Sequence, residues 1–324
     1  MAIWVFSGTL TEKMAERLDR EVDKGNFVPT MFLVTQIDRS GQKQMINFKQ
    51  KYKFIDSLVS DSGAFSVHTG KANTTTDEYI EYVNPLDEHF SVIAQLDTIP
   101  GKFGQPKTKE DYERSAELSW DNYLYMRDRV KSPDKLMPIF HFGESFEALT
   151  RMLDYRDPSG KPLSYIGISP ANDAHQEEKN IYLRDVYEHI AKSSNPTVRT
   201  HLYGMTSLDA LSKFPAYSAD SISARLLPGY NKIYTPKWGV ISLSDRPRTS
   251  KSKSNMAFDK VCSPEDLEEL KALCAKYDYT LEEMKSDNVP RVVLTMCEIQ
   301  KANMTTYQYH PTNNKKQRRL FSIT

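Results

Sequence analysis

Three aspartates follow short apolar runs, and carboxylates in such positions can act together. Asp61 ends "SLVSD", Asp97 ends "FSVIAQLD" and Asp220 lies in "YSADSIS". A single Asp at the end of a strand more often caps or turns the following loop. Three of them in one barrel mouth would repel one another, which costs stability unless the site is used. The set suits glycosyl transfer, with a carboxylate nucleophile, a second acid that manages protons and a third that reads a base.

Histidines and glycines stand at other strand ends. His141 and Gly143 end one run, Gly167 lies in "LSYIGIS", and His201 precedes Gly204. His141 is equally a core residue bonded to a carbonyl group. Gly167 and Gly204 each fit either a tight turn or a place where a ligand approaches the backbone. Both alternatives stay open for these three residues.

Alternating strands and helices would position these residues. The strand candidates are "IWVFSG" (or "TMFLVTQI"), "SLVSD", "FSVIAQLD", "LMPIFHF", "LSYIGIS", "VRTHLYG", "YSADSIS" and "GVISLS". Eight β/α alternations over ~245 residues predict a (β/α)8 barrel, a TIM barrel, whose active site lies at the carboxyl ends of its strands. A doubly wound open sheet is the second choice, but no dinucleotide fingerprint or P-loop follows any strand.

The helices carry clear start signals. Thr108 and Asp111 form a pattern like a capping box at the start of a helix that extends to Val130. Ser263 and Pro264 begin another helix in the C-terminal part. The run "RVVLTMCEIQKANM" reads as a further helix or a strand followed by a helix. We therefore predict a barrel at residues 1–249 and a basic linker with a small helical appendage at 250–324.

Charge is balanced overall but unevenly distributed. From Ser223 onward there are 17 Lys and Arg against 11 Asp and Glu, which leaves an acidic excess in the preceding part. Clusters of basic residues are typical of segments that contact phosphate backbones, although they also occur in solvated loops and chain ends. One cluster is "KKQRR" at 315–319, and the predicted nucleic-acid contacts lie in the other, at Arg246, Arg248, Lys251 and Lys253.

Metal binding and membrane insertion are not expected. Cys262, Cys274, Cys297 and His310 could together ligate one zinc, but their spacings of 12, 23 and 13 positions favour separate thiols. We therefore expect no metal and no cofactor. No apolar run approaches the ~18 residues of a membrane span, and the first residues lack a basic leader. These features predict a cytoplasmic protein of undetermined oligomeric state.

The segment "SDSGAFSV" resembles the Asp-Ser-Gly-Gly-Phe-Gln segment of the tRNA-guanine transglycosylases. Segments similar to later family motifs follow in the same order over residues 57 to 224: "VIAQLDTIPG", "PIFHFGESFEALTRM", "YIGIS" and "HLYGMTSLDALSKFPAYSADS". The resemblance implies a (β/α)8 barrel that exchanges guanine in a polynucleotide for a 7-deazaguanine base. The exchange passes through a covalent aspartyl intermediate.

The resemblance also implies residue roles. Asp61 would manage protons on the base, and Asp97 would bind the guanine edge. Asp220 is the favoured nucleophile, although the family places its nucleophile at the position of Ser223, and Asp61 is the alternative. The predicted substrate-binding set is completed by residues of the neighbouring loops and strands, namely Ser62, Gly63, His141, Gly143, Gly167 and Ile168. His141 stands where the family has glutamine.

The zinc motif of the family is absent, which makes the chain most similar to the shorter paralogs of bacteriophages and genomic islands that modify DNA. The resemblance therefore implies a DNA-guanine transglycosylase in the cytoplasm of a bacterium or phage host. Its partners would be DNA, a free 7-deazaguanine base of the preQ0 type and other enzymes of the deazapurine pathway. The alternatives are a tRNA-guanine transglycosylase without zinc and a non-catalytic nucleic-acid-binding barrel. The inserted base and the sequence context stay open.

Overall fold

The computed structural model describes residues 2–170, 174–245 and 256–309. The apolar runs form nine parallel strands in one sheet, in the order β5-β4-β3-β2-β1-β9-β8-β7-β6. Their bounds are β1 (Ile3–Ser7), β2 (Thr30–Thr35), β3 (Ile55–Asp61), β4 (Phe90–Ala94), β5 (Leu136–Met137), β6 (Ile139–His141), β7 (Tyr165–Ser169), β8 (Arg199–Leu202) and β9 (Ser218–Ser221).

Pro138 explains why nine strands form an eight-stranded barrel. β5 and β6 lie at the two edges of the sheet order, yet only Pro138 separates them in the chain. Proline has no N–H group, so the hydrogen-bond ladder is interrupted at this position. β5 pairs with β4, β6 pairs with β7, and the Pro138 carbonyl accepts a 2.8 Å hydrogen bond from the N–H of Gly167. The two pieces are halves of a fifth strand that closes the sheet, and the predicted (β/α)8 barrel is confirmed.

Helices surround the barrel. Their bounds are α1 (Glu12–Asp23), α2 (Arg39–Lys51), α3 (Ala64–His68), α4 (Thr76–Val83), α5 (Lys109–Arg127), α6 (Phe146–Asp154), α7 (Gln176–Ala191), α8 (Leu208–Lys213), α9 (Ser223–Gly229), α10 (Pro264–Ala275), α11 (Leu281–Ser286) and α12 (Asn288–Tyr309). Thr108 caps α5 and forms the expected reciprocal bonds with Asp111. Ser263 caps α10, which begins at Pro264.

Apolar side chains fill the barrel on both faces of its sheet. The interior holds a compact cluster that includes Val5, Leu33, Val59 and Met137, and a larger cluster lies between strands and helices. Close packing of this kind leaves no pore through a barrel of eight strands. A ligand can therefore reach the barrel only at its rim.

One predicted barrel strand is wrong. The run "GVISLS" forms β11 (Gly239–Ser242), which pairs antiparallel with β10 (Lys232–Thr235) in a separate hairpin. The eighth position belongs instead to "TMFLVT", which the sequence offered only as an alternative first strand. Both N-terminal runs are barrel strands, β1 and β2, and they pair with each other.

The C-terminal region is helical, as expected, and α12 lies against the barrel wall. Val293, Leu294 and Cys297 of this helix are fully buried. Gln300 exchanges two 2.8 Å hydrogen bonds with the backbone of Val28. The domain boundary predicted after residue 249 lies outside the described residues. None of the helices in the described ranges is both long and apolar enough to cross a bilayer.

Candidate active site

A cavity of about 210 Å³ opens at the carboxyl ends of the strands, and all three aspartates line it. Asp61 ends β3, Asp97 lies in the loop after β4, and Asp220 belongs to β9. Pockets for drug-sized ligands measure roughly 300–1,000 Å³, so this cavity suits a single small ring system. Phe65 also lines it and keeps 51% of its surface exposed, which leaves an aromatic face for a flat ligand.

Asp220 is held as a carboxylate by three donors. The Ser7 hydroxyl donates to Oδ2 at 2.7 Å, and the N–H of Gly204 donates to Oδ1 at 2.9 Å. His201 Nε2 lies 3.3 Å from Oδ1. Burial opposes ionisation, but the bonds from His201, Ser7 and the Gly204 backbone outweigh it and lower the pKa of Asp220 below its ordinary value. An ionised, oriented carboxylate is suited to act as a nucleophile.

His201 is itself fixed by Ser218. Its Nδ1 lies 2.6 Å from the Ser218 hydroxyl, which also bonds to the Tyr165 hydroxyl. A proton on His201 Nε2 points at Asp220, because that nitrogen faces Asp220 Oδ1. The hydrogen bonds between Ser218 and His201 and between His201 and Asp220 therefore form a path that ends at the carboxylate of Asp220.

Asp61 has the opposite electrostatic environment. Burial, followed by the charges of Asp220 and Asp97, raises the pKa of Asp61 to about 7. The Gly63 N–H and the Thr35 hydroxyl oppose the rise only in part. A carboxyl group with a pKa near neutrality can both donate and accept a proton during a reaction. Two carboxyl groups in one cavity thus have pKa values displaced in opposite directions, the arrangement that separates an acid from a nucleophile.

Asp97 belongs to a buried chain of charged groups. His141 Nε2 lies 2.7 Å from Asp97 Oδ2, and His141 Nδ1 lies 3.0 Å from Glu144 Oε1. Glu144 Oε2 accepts the backbone N–H of His141 at 3.0 Å. Burial opposes protonation of the ring, but Glu144 and Asp97 outweigh it and raise the pKa of His141 to about 10. His141 is therefore an imidazolium with both ring N–H groups engaged.

Of the seven predicted substrate-binding residues, only Asp97 lines this cavity. Four of the other six, Ser62, Gly143, Gly167 and Ile168, lie behind it. Ser62 is fully buried beneath the loop after Asp61, while the Ile168 side chain packs between the barrel and its helices. A Cβ on Gly143 would lie 2.3 Å from the Tyr112 ring, and one on Gly167 would lie 2.7 Å from the Tyr203 ring. Packing explains both glycines without a ligand.

Gly63 and His141 have distinct places near the site. Gly63 precedes α3 with a φ of 73°, the left-handed conformation that glycine adopts without strain. Gly63 thereby turns the chain between the end of β3, at Asp61, and the start of α3. His141 contacts the cavity through Asp97, and it also borders a second cavity of about 620 Å³. The two cavities adjoin at Phe65, Ile99 and Ser169, which line both.

The second cavity, which we call the outer groove, is lined by Lys102, Phe103, Lys107, His68 and the residues shared with the inner cavity. Phe103 is 62% exposed, and its ring packs edge-on against those of Phe65 and His68. Exposed aromatic rings beside lysines can contact a ligand that combines flat rings with negative charge.

The sequence did not single out several residues of the site. Ser7 ends the apolar run of β1, and this signal could have placed it with the aspartates. Ser169 ends β7 in the same way. Glu144 and Tyr203 gave no signal, because their roles depend on contacts between different β/α units.

The predicted nucleic-acid contacts Arg246, Arg248, Lys251 and Lys253 lie outside the described residues, as do His310 and the cluster at 315–319. Cys262, Cys274 and Cys297 are free thiols. Within the described ranges, no group of three or more His, Cys, Asp or Glu side chains could hold a metal ion. The expectation that no metal takes part stays a prediction.

Gly167→Ala tests whether Gly167 serves packing. The new Cβ would lie 2.7 Å from Tyr203 and 3.1 Å from Ile139, and overpacking of this kind typically costs roughly 1–3 kcal/mol. We expect urea denaturation to show that loss. Gly229→Ala is the matched control, because nothing lies within 4 Å of its Cβ position. Equal stability of Gly167→Ala and the unmodified protein would return Gly167 to the candidate ligand contacts.

Comparisons with known proteins give only distant matches. No protein-family model matches it, and no curated protein matches it. The YdjI aldolase from Escherichia coli K12 is 9% identical, with 97% of this chain and 93% of that chain covered and a TM-score of 0.41. A candidate fructose-1,6-biphosphate aldolase from Coccidioides immitis is 9% identical, with 94% of this chain and 93% of that chain covered and a TM-score of 0.46.

KGPDC from Streptococcus mutans is 11% identical, with 68% of this chain and 87% of that chain covered and a TM-score of 0.34. None of these values assigns an activity to this chain. The comparison of structures found no tRNA-guanine transglycosylase, so the predicted membership in that superfamily is wrong. The segments that resembled this superfamily are short and lie at strand ends. Two of their glycines, Gly143 and Gly167, are explained by packing against tyrosine rings.

Proposed function

We propose that the protein is a glycosyl-transfer enzyme that cleaves an N-glycosidic bond through a covalent intermediate on Asp220. One observation carries this proposal: Asp220 and Asp61 line the same cavity, with the pKa of Asp220 lowered and that of Asp61 raised to about 7. Glycosyl transfer with a covalent intermediate needs this pair, one carboxylate to attack and one carboxyl group to manage the proton.

In the first step an Asp220 oxygen attacks the anomeric carbon of the substrate. The bond between that carbon and the ring nitrogen breaks, and its electron pair stays on the departing heterocycle. Asp61 donates its proton to the heterocycle and becomes a carboxylate. The sugar is then an ester of Asp220, with Ser7, Gly204 and His201 around the acyl oxygens.

In the second step an acceptor with an N–H or O–H group enters the cavity. Asp61 removes its proton as the acceptor attacks the anomeric carbon, and Asp220 departs as the carboxylate that began the cycle. An entering base gives base exchange, and an entering water gives hydrolysis. Atoms and charge balance in both cases without a redox or energy cofactor.

The rest of the cavity supports a heterocyclic leaving group. Phe65 offers an aromatic face, and Asp97 offers a carboxylate acceptor. The outer groove would hold the remainder of the substrate, and Lys102 and Lys107 there suit a phosphate-bearing one. A DNA substrate and a 7-deazaguanine acceptor remain predictions from the sequence, and they are arms of the test.

The test incubates the purified protein with nucleosides, single-stranded DNA and tRNA, each with labelled guanine or a 7-deazaguanine base in solution. We expect release of a free base from one substrate class and a protein–substrate adduct that survives denaturation. Incorporation of the labelled base identifies exchange, and release alone identifies hydrolysis. Neither release nor adduct with any substrate would refute glycosyl transfer.

A further inference from the structure

The chain of charges behind Asp97 extends away from the cavity through three segments. Asp97 follows β4, His141 ends β6, and Glu144 lies in the turn after it. Ser115 of α5 completes the chain by donating to Glu144 Oε1 at 3.3 Å. Only Asp97 and the edge of His141 reach the two cavities, so Glu144 and Ser115 act on a ligand only through their neighbours.

The hydrogen-bonded side chains of Asp97, His141 and Glu144 are buried more deeply than the stability of the fold requires. The side chains of Asp97, His141 and Glu144 are 6%, 5% and 0% exposed. Two carboxylates and one imidazolium leave a net negative charge close to Asp61 and Asp220. Apolar residues of similar volume would often stabilise a buried position as well or better. A chain of hydrogen-bonded polar groups in this place therefore suggests that the carboxyl group of Asp97 must be fixed in orientation.

The hydrogen bonds of Asp97 determine which of its two carboxylate oxygens can accept a hydrogen bond from a ligand. Both ring N–H groups of His141 are engaged, and Asp97 Oδ2 is occupied by one of them. Among the described residues no hydrogen bond reaches Asp97 Oδ1. A carboxylate only accepts hydrogen bonds. The edge of a ligand that faces Asp97 must therefore present N–H donors, and a carbonyl in that place would meet lone pairs.

We propose that His141 and Glu144 are positioning residues that fix Asp97 as an acceptor, so that the cavity selects a heterocycle with adjacent N–H donors on one edge. This inference rests on the proposed function, since it concerns the leaving or entering base of the same site. It assigns Glu144 a role in specificity although Glu144 does not line the cavity.

Other titratable groups face this chain. His68 of α3 approaches His141 and Asp97, Lys107 of the loop before α5 approaches His68, and Tyr182 of α7 faces Glu144. Burial, followed by Lys107, lowers the pKa of His68, so His68 is neutral above the acid range. The imidazolium of His141 is therefore the cation in contact with Asp97 throughout the neutral range.

The experiment measures binding rather than turnover, so that its failure is distinct from failure of glycosyl transfer. The probes are 9-methylguanine, which presents a ring N–H beside an exocyclic amine, and 9-methylhypoxanthine, which lacks the amine. Titration calorimetry at pH 7.5 gives both affinities for the unmodified protein, for Glu144→Gln and for Glu147→Gln. Glu147 is the matched control because it lies exposed on α6, three residues from Glu144.

We expect the unmodified protein and Glu147→Gln to prefer 9-methylguanine by about 10-fold or more, in line with the penalty for an unmet hydrogen bond at a polar site. Glu144→Gln should lose most of this preference, with little change in the affinity for 9-methylhypoxanthine. His141 should also titrate at lower pH in this variant, so the 9-methylguanine affinity should change between pH 6 and 9. Asp61, with a pKa of about 7, lines the same cavity in all three proteins, so the pH dependence of Glu144→Gln is compared with that of Glu147→Gln, which shares the contribution of Asp61.

A purely structural role of Glu144 predicts a different result, with reduced thermal stability and an unchanged ratio of the two affinities at every pH. That result would overturn the inference. Failure of the unmodified protein to bind 9-methylguanine at millimolar concentration would also overturn it. Proposed glycosyl transfer would then be judged independently, by the covalent adduct on Asp220.

Discussion

Asp220→Asn is expected to abolish the covalent adduct and to lower the rate of glycosidic cleavage by roughly 10³-fold or more, the scale seen when a nucleophile is removed. An amide is isosteric with the carboxylate but lacks its nucleophilic charge. The carbonyl oxygen of Asn can still accept the N–H of Gly204, so the fold around Gly204 should be preserved. Single-turnover kinetics and denaturing gels measure both effects.

The matched control for Asp220→Asn is Asp209→Asn. Asp209 is exposed on α8, where it pairs with Lys213, and its loss should leave the rate unchanged. The sequence left open whether Asp220 or Asp61 is the nucleophile. An adduct that persists in Asp220→Asn and disappears in Asp61→Asn would exchange the two assignments.

Asp61→Asn is expected to stabilise the protein at pH 8. The pKa of Asp61 is about 7 in the folded state, above the ~3.9 of an unfolded chain. Between these values the folded state binds the proton more tightly, so the free energy of unfolding falls as pH rises from about 4 to about 7. The Asn variant lacks this loss and should be more stable by on the order of 1–4 kcal/mol at pH 8.

Urea denaturation at pH 4 and pH 8 measures this linkage. The difference between Asp61→Asn and the unmodified protein should be large at pH 8 and should shrink towards pH 4. Asp209→Asn serves again as the control, because Asp209 is an exposed residue that pairs only at the surface. A difference of equal size at both pH values would show that Asp61 does not titrate near neutrality in the folded protein.

The strand ends were the informative part of the sequence. An apolar run that ends in a polar residue indicates a buried strand with one functional end, and Asp61, Asp97 and Asp220 were found in this way. The barrel then follows from alternation of strands and helices, a local pattern. Helix boundaries could also be predicted from the sequence, because the Thr108 and Ser263 hydroxyls accept hydrogen bonds from backbone N–H groups only three residues away.

Contacts between residues that are far apart in the sequence could not be predicted from the sequence. Ser7 and Asp220 are 213 positions apart, and nothing local to either residue indicates their bond. The same holds for Gly167, whose missing side chain makes room for Tyr203, the residue that follows the next strand, β8. β11 was misassigned because a short apolar run has the same pattern in a hairpin and in a barrel. The pKa values of the aspartates likewise depend on the assembled cavity.

The position of α12 affects how the chain can be made. Asn303 bonds to the carbonyl of Ala2, 301 positions earlier, and Gln300 holds Val28. A ribosome delivers α1 and β1 long before α12, so the apolar surface that α12 covers stays open to solvent until α12 has been synthesised. Closure of such long loops is slow, and exposed apolar surface promotes aggregation. The nascent protein should therefore depend on chaperones until α12 emerges.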